Sequence, residues 1–211
     1  MRDIPELVEG YRRFLAGSYP QQAELYRTLA EEGQTPKTMI VACCDSRADP
    51  ATIFNAHPGQ FFIVRNVANL VPPCEAGGDY HGTSAALEFA VEGLKVENIV
   101  VMGHARCGGV NAYLQGLYQQ PVEESFIQRW ISLLEPAKVE ALRLADAPME
   151  RQQQALEHAS VRHSLENLKT FPFVRHRLES GNLRLRGAYF DISSGELLSL
   201  DPESGEFAAV D

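Results

Sequence analysis

The stretch Ala42-Cys43-Cys44-Asp45-Ser46-Arg47 constrains this chain more than any other. It ends an apolar run, Met39-Ile40-Val41, that reads as a buried strand. A strand end that carries thiols, a carboxylate and a guanidinium is built for something other than core. If the chain stays extended, Cys43, Asp45 and Arg47 share one side and Cys44 faces the other. A second such stretch, His104-Ala105-Arg106-Cys107, follows another strand-like run, Asn98 to Met102. Two strands that end in metal-type ligands point to one site at the edge of one sheet.

An imidazole and a thiolate three positions apart form a common local zinc spacing. One more thiolate from the first stretch brings the count to three protein ligands, the number found at zinc sites that keep a fourth position open. Taken singly, Cys43 and Cys107 are compatible with buried small hydrophobes and His104 with a packed histidine. Taken together, beside Asp45 and Arg47 and ahead of Gly108-Gly109, they read as a site. Composition alone allows either Cys43 or Cys44 as the first ligand.

Strand-like runs alternate with helical ones, which predicts an α/β fold with a central, mostly parallel sheet flanked by helices. Phe61 to Val67 is nearly continuous apolar sequence, as in a strand covered on both faces. Gly82 to Leu94 reads as a helix with Ala86, Phe89, Ala90 and Leu94 on one face. Gly108-Gly109-Val110 opens another, whose N-terminus favours a thiolate or a bound anion. Ser125 to Leu178 is mainly helical, with Pro136 at a helix start and a long apolar stripe from Arg151 to Leu168. Leu183 to Ile192 and Leu197 to Leu200 form a last strand pair. In such sheets ligands bind beyond the carboxyl ends of the strands, where both motifs lie.

The first thirty or so residues read as two helices, with Leu7, Tyr11, Phe14 and Leu15 on one stripe and Ala23, Tyr26, Leu29 and Ala30 on the other. Ser18-Tyr19-Pro20 breaks them. With 211 residues, the chain reads as a single domain over 1–211, preceded in its core by a helical arm over 1–33. A net charge of −9 argues against a nucleic-acid partner. No apolar run is long enough to span a membrane, and Met1 to Glu6 lacks the apolar core of a signal peptide. Four cysteines do not make a disulfide framework, and thiolate ligands suit a reducing, cytoplasmic compartment. His158, His163 and His176 are expected to be packing or surface residues; His57 and His81 flank loops from which either is able to relay protons.

Cys43-x-Asp45-Ser46-Arg47 followed by His104-x-x-Cys107-Gly108-Gly109 resembles the β-class carbonic anhydrases. Pro58 to Asn69, Gly82-Thr83 and Gly187 to Ile192 extend the resemblance over most of the chain. The family register selects Cys43, with the acid two residues on. The resemblance implies one Zn2+ per chain held by Cys43, His104 and Cys107, and reversible hydration of carbon dioxide by attack of zinc-bound hydroxide. Asp45 would orient that hydroxide and Arg47 would clamp Asp45. By the same resemblance the small-molecule substrate, carbon dioxide or bicarbonate, meets Gln34, Phe62, Val67, Phe89 and Gly108. The active unit would be a homodimer or higher homo-oligomer, with Gln34 entering a partner's site. Hydrolysis of carbonyl sulfide or carbon disulfide is the alternative on the same fold. Three departures stand out. Phe89 replaces a common tyrosine, Gly93 a histidine found in some members, and Ile40 the tryptophan of a bicarbonate-inhibited subset. The first two remove candidate proton carriers; the third predicts a site that stays open near neutral pH.

Overall fold

The computed structural model describes residues 3–75, 81–116 and 125–210. Among these, six strands form one sheet in the order β2-β1-β3-β4-β5-β6. β1 (Thr38–Cys43), β2 (Phe61–Asn66), β3 (Asn98–His104) and β4 (Arg184–Phe190) run parallel, and β5 (Leu197–Leu200) and β6 (Phe207–Ala209) return antiparallel. The expected α/β architecture is present, with β2 at one edge.

The apolar run of β1 serves both faces of the sheet. Met39 and Val41 join Ile99 and Val101 in a core closed by α8 (Met149–Leu168), α9 (Pro172–Glu179) and α4 (Gly82–Glu88). Ile40 and Ala42 point the other way, to Met102 and Ala188, against Ile53 of the short α3 (Pro50–Ile53) and the following Phe54. A third cluster lies under the site, where Cys43 and Cys107 pack with Leu156, Ile131 and Leu134.

Several local expectations are corrected. The chain does not stay extended after Cys43: Asp45 caps a single 3-10 turn, Ser46–Ala48, which folds Arg47 back on it. The arm breaks at Gly17, between α1 (Pro5–Ala16) and α2 (Ser18–Glu32). Pro20 is tolerated because it falls in the first turn of α2, where no backbone donor is lost. The helix from Gly82 is α-helical only to Glu88 and then widens into a π-turn, Phe89–Gly93. Pro136 lies inside a 3-10 segment, Ser132–Ala137, between α6 (Phe126–Ile131) and α7 (Lys138–Leu142). β6 was not expected. Neither α1 nor α2 has a buried residue, and Leu7, Tyr11 and Leu15 stay exposed.

Candidate metal centre

β1 delivers Cys43 and β3 delivers His104 at adjacent carboxyl ends. The chain then turns through Arg106, at φ 55°, and sets Cys107 at the N-cap of α5 (Gly108–Leu114). The three are buried, and one ligand atom from each lies within 4.8 Å of the others. The two sulfurs are 3.9 Å apart. Tetrahedral zinc with Zn–S near 2.3 Å needs a separation of roughly 3.8 Å, so the pair fits zinc closely. His104 Nδ1 is 2.9 Å from the Ala105 carbonyl, which fixes the tautomer with its proton there. Its Nε2 is buried with no protein partner. A buried acceptor without a protein partner beside two thiols is the donor set that a metal would satisfy.

The two sulfurs lie in hydrogen-bond contact, and either can be the donor. The contact with Cys107 pulls the Cys43 thiol down. The contact with Cys43, together with burial, pushes the Cys107 thiol up. Burial opposes a charge on His104, but Cys43 outweighs it and the net direction is upward. A lowered Cys43 thiol and an oriented imidazole suit a cation, which has to displace the protons that Cys107 and His104 hold more tightly.

Asp45 and Arg47 form a two-pronged pair. Arg47 Nε donates to Asp45 Oδ1 at 2.9 Å and Nη2 to Oδ2 at 2.7 Å. That guanidinium holds the Asp45 carboxyl far below the ordinary carboxylate range. Asp45 Oδ2 lies 4.0 Å from His104 Nε2, so the clamped carboxylate faces the place a metal would take.

Other side chains hold this frame that the motifs did not reveal. Arg65 donates to the carbonyls of Cys43 (2.8 Å) and Asp45 (2.6 Å) and pairs with Asp49 at 2.8 Å. Its signal was a lone charge inside an apolar strand. Asn66 sits opposite Cys43, and its carbonyl accepts the Cys44 N–H at 2.9 Å. Glu157 of α8 is 2% exposed. It accepts from the Cys107 N–H and Gln153 at 2.8 Å each, and from the Tyr189 hydroxyl at 2.7 Å. Nothing local in the sequence marks Glu157.

The remaining expected site residues divide. Val67 lies against the first turn of α5, since a Cβ on Gly109 would meet its Cγ1 at 2.8 Å. Gly108 begins that helix. Cys44 is exposed and belongs to no ligand cluster among the described residues. Phe62 and Phe89 pack together, with centroids 5.7 Å apart, but Phe62 aligns with Met39, four rungs from the Cys43–Asn66 pair. At about 3.3 Å per residue, that is roughly 13 Å from the metal group. Gln34 precedes the opposite end of β1 and is exposed. Within one chain these three do not reach the site.

A carbonic anhydrase family profile matches residues 38–197. The chain belongs to the β-class carbonic anhydrases. The chain is 41% identical over 184 residues to beta carbonic anhydrase 5, chloroplastic, of Arabidopsis thaliana, covering 85% of this chain and 60% of that protein. It is 38% identical over 203 residues to beta carbonic anhydrase 3 of the same plant, covering 94% and 78%. It therefore spans about three fifths of the first relative and about four fifths of the second. The solved structure of the beta-carbonic anhydrase CcaA matches over 100% of this chain and 93% of that one, at TM-score 0.91 and 29% identity. Zinc is the metal that both this family and the donor set specify. Among the described residues no helix is long and apolar enough to cross a membrane.

Proposed function

We propose that this carbonic anhydrase homologue catalyses the reversible hydration of carbon dioxide to bicarbonate and a proton. The observation that carries this is the orphaned Nε2 of His104, buried beside two thiols and facing a carboxylate that Arg47 holds ionised. Cys43, His104 and Cys107 would hold the zinc, which would supply a Lewis acid able to bring the pKa of a water near 7 and so provide hydroxide at neutral pH.

The chain's own residues do the rest. Asp45, kept anionic, accepts a hydrogen bond from the attacking oxygen and holds its lone pair toward the substrate. Arg47 occupies both Asp45 oxygens and keeps the carboxylate from closing on the metal. The clamp and Ile40 together support an open site near neutral pH. Arg65 and Asn66 fix the backbone on which Cys43 and Asp45 stand. Val67 offers apolar wall to a substrate that has little to hydrogen-bond, and Gly108 leaves room for bicarbonate.

Phe62, Phe89 and Gln34 serve the site from a second copy of the chain. They lie away from the metal group of their own chain, yet Phe89 is 55% exposed and β2 is an open edge. The unburied stripe of α1 gives the arm a face for the same partner. Sedimentation at micromolar concentration should show no major monomer, and deleting residues 1–31 should weaken assembly and activity together. A fully active monomer refutes this part. Four free thiols support a reducing compartment such as the cytoplasm, although one relative's name carries the chloroplast.

Stopped-flow hydration of carbon dioxide on protein of measured zinc content tests the activity, run beside an assay with carbonyl sulfide. A rate no greater than that of buffer overturns the assignment, and turnover of carbonyl sulfide alone establishes the alternative.

A further inference from the structure

The hydration releases one proton per turnover, and Phe89 and Gly93 supply no group to carry it. We infer that His81 is the proton carrier of this site, an inference that rests on the proposed hydration of carbon dioxide.

His81 lines a cavity of about 690 Å³ together with Cys44, Asn66, Val67, Thr83 and Trp130. Three of these walls adjoin the metal centre. Cys44 lies between Cys43 and Asp45, Asn66 faces Cys43 across the sheet, and Val67 packs on the helix that Cys107 caps. The placement of His81 is fixed by α4. Its carbonyl accepts the Ala85 N–H at 2.9 Å, and Thr83, two residues on, receives Asn66 Nδ2 at 3.3 Å. The cavity opens beside the strand end that carries Cys43 and Asp45, so waters filling it would run from His81 toward the metal group.

His81 is exposed, and its imidazole does not cap the helix it precedes. It is therefore able to turn between the cavity and solvent. An imidazole has two ring nitrogens that can each give or take a proton, so it can accept one from water on one side and release one to buffer on the other. The carrier ends each cycle neutral, and the proton leaves with the buffer.

The other five histidines are placed elsewhere. His104 belongs to the ligand set. His158 is stacked on Tyr189 and Phe207 at 4.4 and 4.3 Å. His163 lines a different cleft with Arg162, Glu166 and Lys169. His57 precedes β2, at the end of that strand away from Asn66, and its backbone N–H is held by Gln60. His176 sits on α9, beside the turn that leads into the start of β4, again at the end of the sheet opposite the metal group.

The test uses the zinc-loaded protein, full length, with His81→Ala and with His57→Ala as control. In dilute buffer His81→Ala should lower kcat about tenfold and leave kcat/KM unchanged, less than for a group acting directly on a reacting bond because buffer partly replaces it. Concentrated imidazole should restore kcat. Isotope exchange should show slowed release of labelled water with unchanged interconversion of carbon dioxide and bicarbonate. A readout independent of turnover is the nitrogen resonance of His81 in histidine-labelled zinc protein, which should shift when cyanide binds the metal while that of His57 stays fixed. Unchanged kcat in dilute buffer, equal loss of kcat and kcat/KM without rescue, or a His81 signal blind to cyanide each overturn the assignment with the hydration activity intact. A zinc-loaded wild type that hydrates no carbon dioxide overturns both.

Discussion

Replacing Glu157 is expected to cost the fold and the metal together. The carboxylate lies behind Cys107 and receives three donors: the Cys107 N–H, the Gln153 amide and the Tyr189 hydroxyl. Burial pushes its pKa up, and those donors only partly offset the effect. Glu157→Ala leaves the Cys107 N–H and the Tyr189 hydroxyl, both on buried residues, without an acceptor. An unpaired buried donor costs about 1–3 kcal/mol, so the two together cost about 2–6 kcal/mol. A domain has only about 5–15 kcal/mol in total, so this is a large fraction. Glu157→Gln keeps one oxygen for Cys107 and Gln153, and the Tyr189 hydroxyl is free to rotate. Its cost should be near 1 kcal/mol. The Cys107 backbone also loses its tether in the alanine variant, and changes of this outer kind weaken metal binding by about 10–100-fold. Urea unfolding of zinc-loaded protein measures the first effect, and competition against a chelator the second. An alanine variant that unfolds within about 0.5 kcal/mol of wild type and holds zinc equally well would refute the tether.

The zinc content should be about one per chain and be lost in Cys43→Ala, His104→Ala or Cys107→Ala, while Cys44→Ala retains it; a Cys44→Ala variant that empties the site while Cys43→Ala stays loaded shifts the ligand register by one residue. Arg47→Ala should lower hydration with zinc still bound, and its crystal structure should show Asp45 moved toward the metal; an unmoved Asp45 shows that the guanidinium is not the clamp. Burial holds the pKa of His158 down to about 4 from 6.5, so between those pH values the unfolded chain takes up a proton that the folded chain resists. Stability should then fall with falling pH by up to about 3 kcal/mol, less what solvent screens, at 1.36 kcal/mol per pKa unit; His158→Phe should flatten the loss in urea titrations across that window, and an equal acid sensitivity in the variant refutes it.

Much of the site was legible because its parts are local. A ligand at the end of each of two apolar runs needs only the rule that parallel sheets bind ligands at their carboxyl ends, and Cys43 and His104 obey it. The three-residue step from His104 to Cys107 is a turn, fixed by the backbone of Arg106 at φ 55°. Glu157 was illegible for the opposite reason. It lies fifty residues after Cys107 on a helix whose polar positions all look alike, and only packing selects it. Arg65 was legible in principle, since an arginine inside Phe61–Asn66 has to find partners on burial, and it finds three oxygens. β6 has three residues and no pattern, and exists because Phe207 finds His158 and Tyr189. The sequence puts the break at Ser18-Tyr19-Pro20, one to three residues past Gly17, because proline reads as a breaker, whereas a proline early in a helix is harmless.

The two halves of the proposed site answer to different constraints, which would explain why one chain carries them apart. The metal half needs rigidity to a fraction of an ångström, and the chain provides it with ligands from the core, second contacts from Arg65 and Glu157, and a closed ion pair at Asp45. The apolar half needs only a water-poor surface, which two exposed patches brought together can make. Phe89 is exposed, and Phe62 lies next to it on an edge strand that, among the described residues, has no neighbour on its far side. An edge strand of that kind, left open, invites pairing with another chain. A second copy docked there would cover its own edge and bring Phe62, Phe89 and Gln34 within reach of the other's metal group. On the proposed reading, assembly would be a condition for excluding water from the substrate, and a monomer, though it carries the three metal ligands, would lack the wall against which carbon dioxide is held.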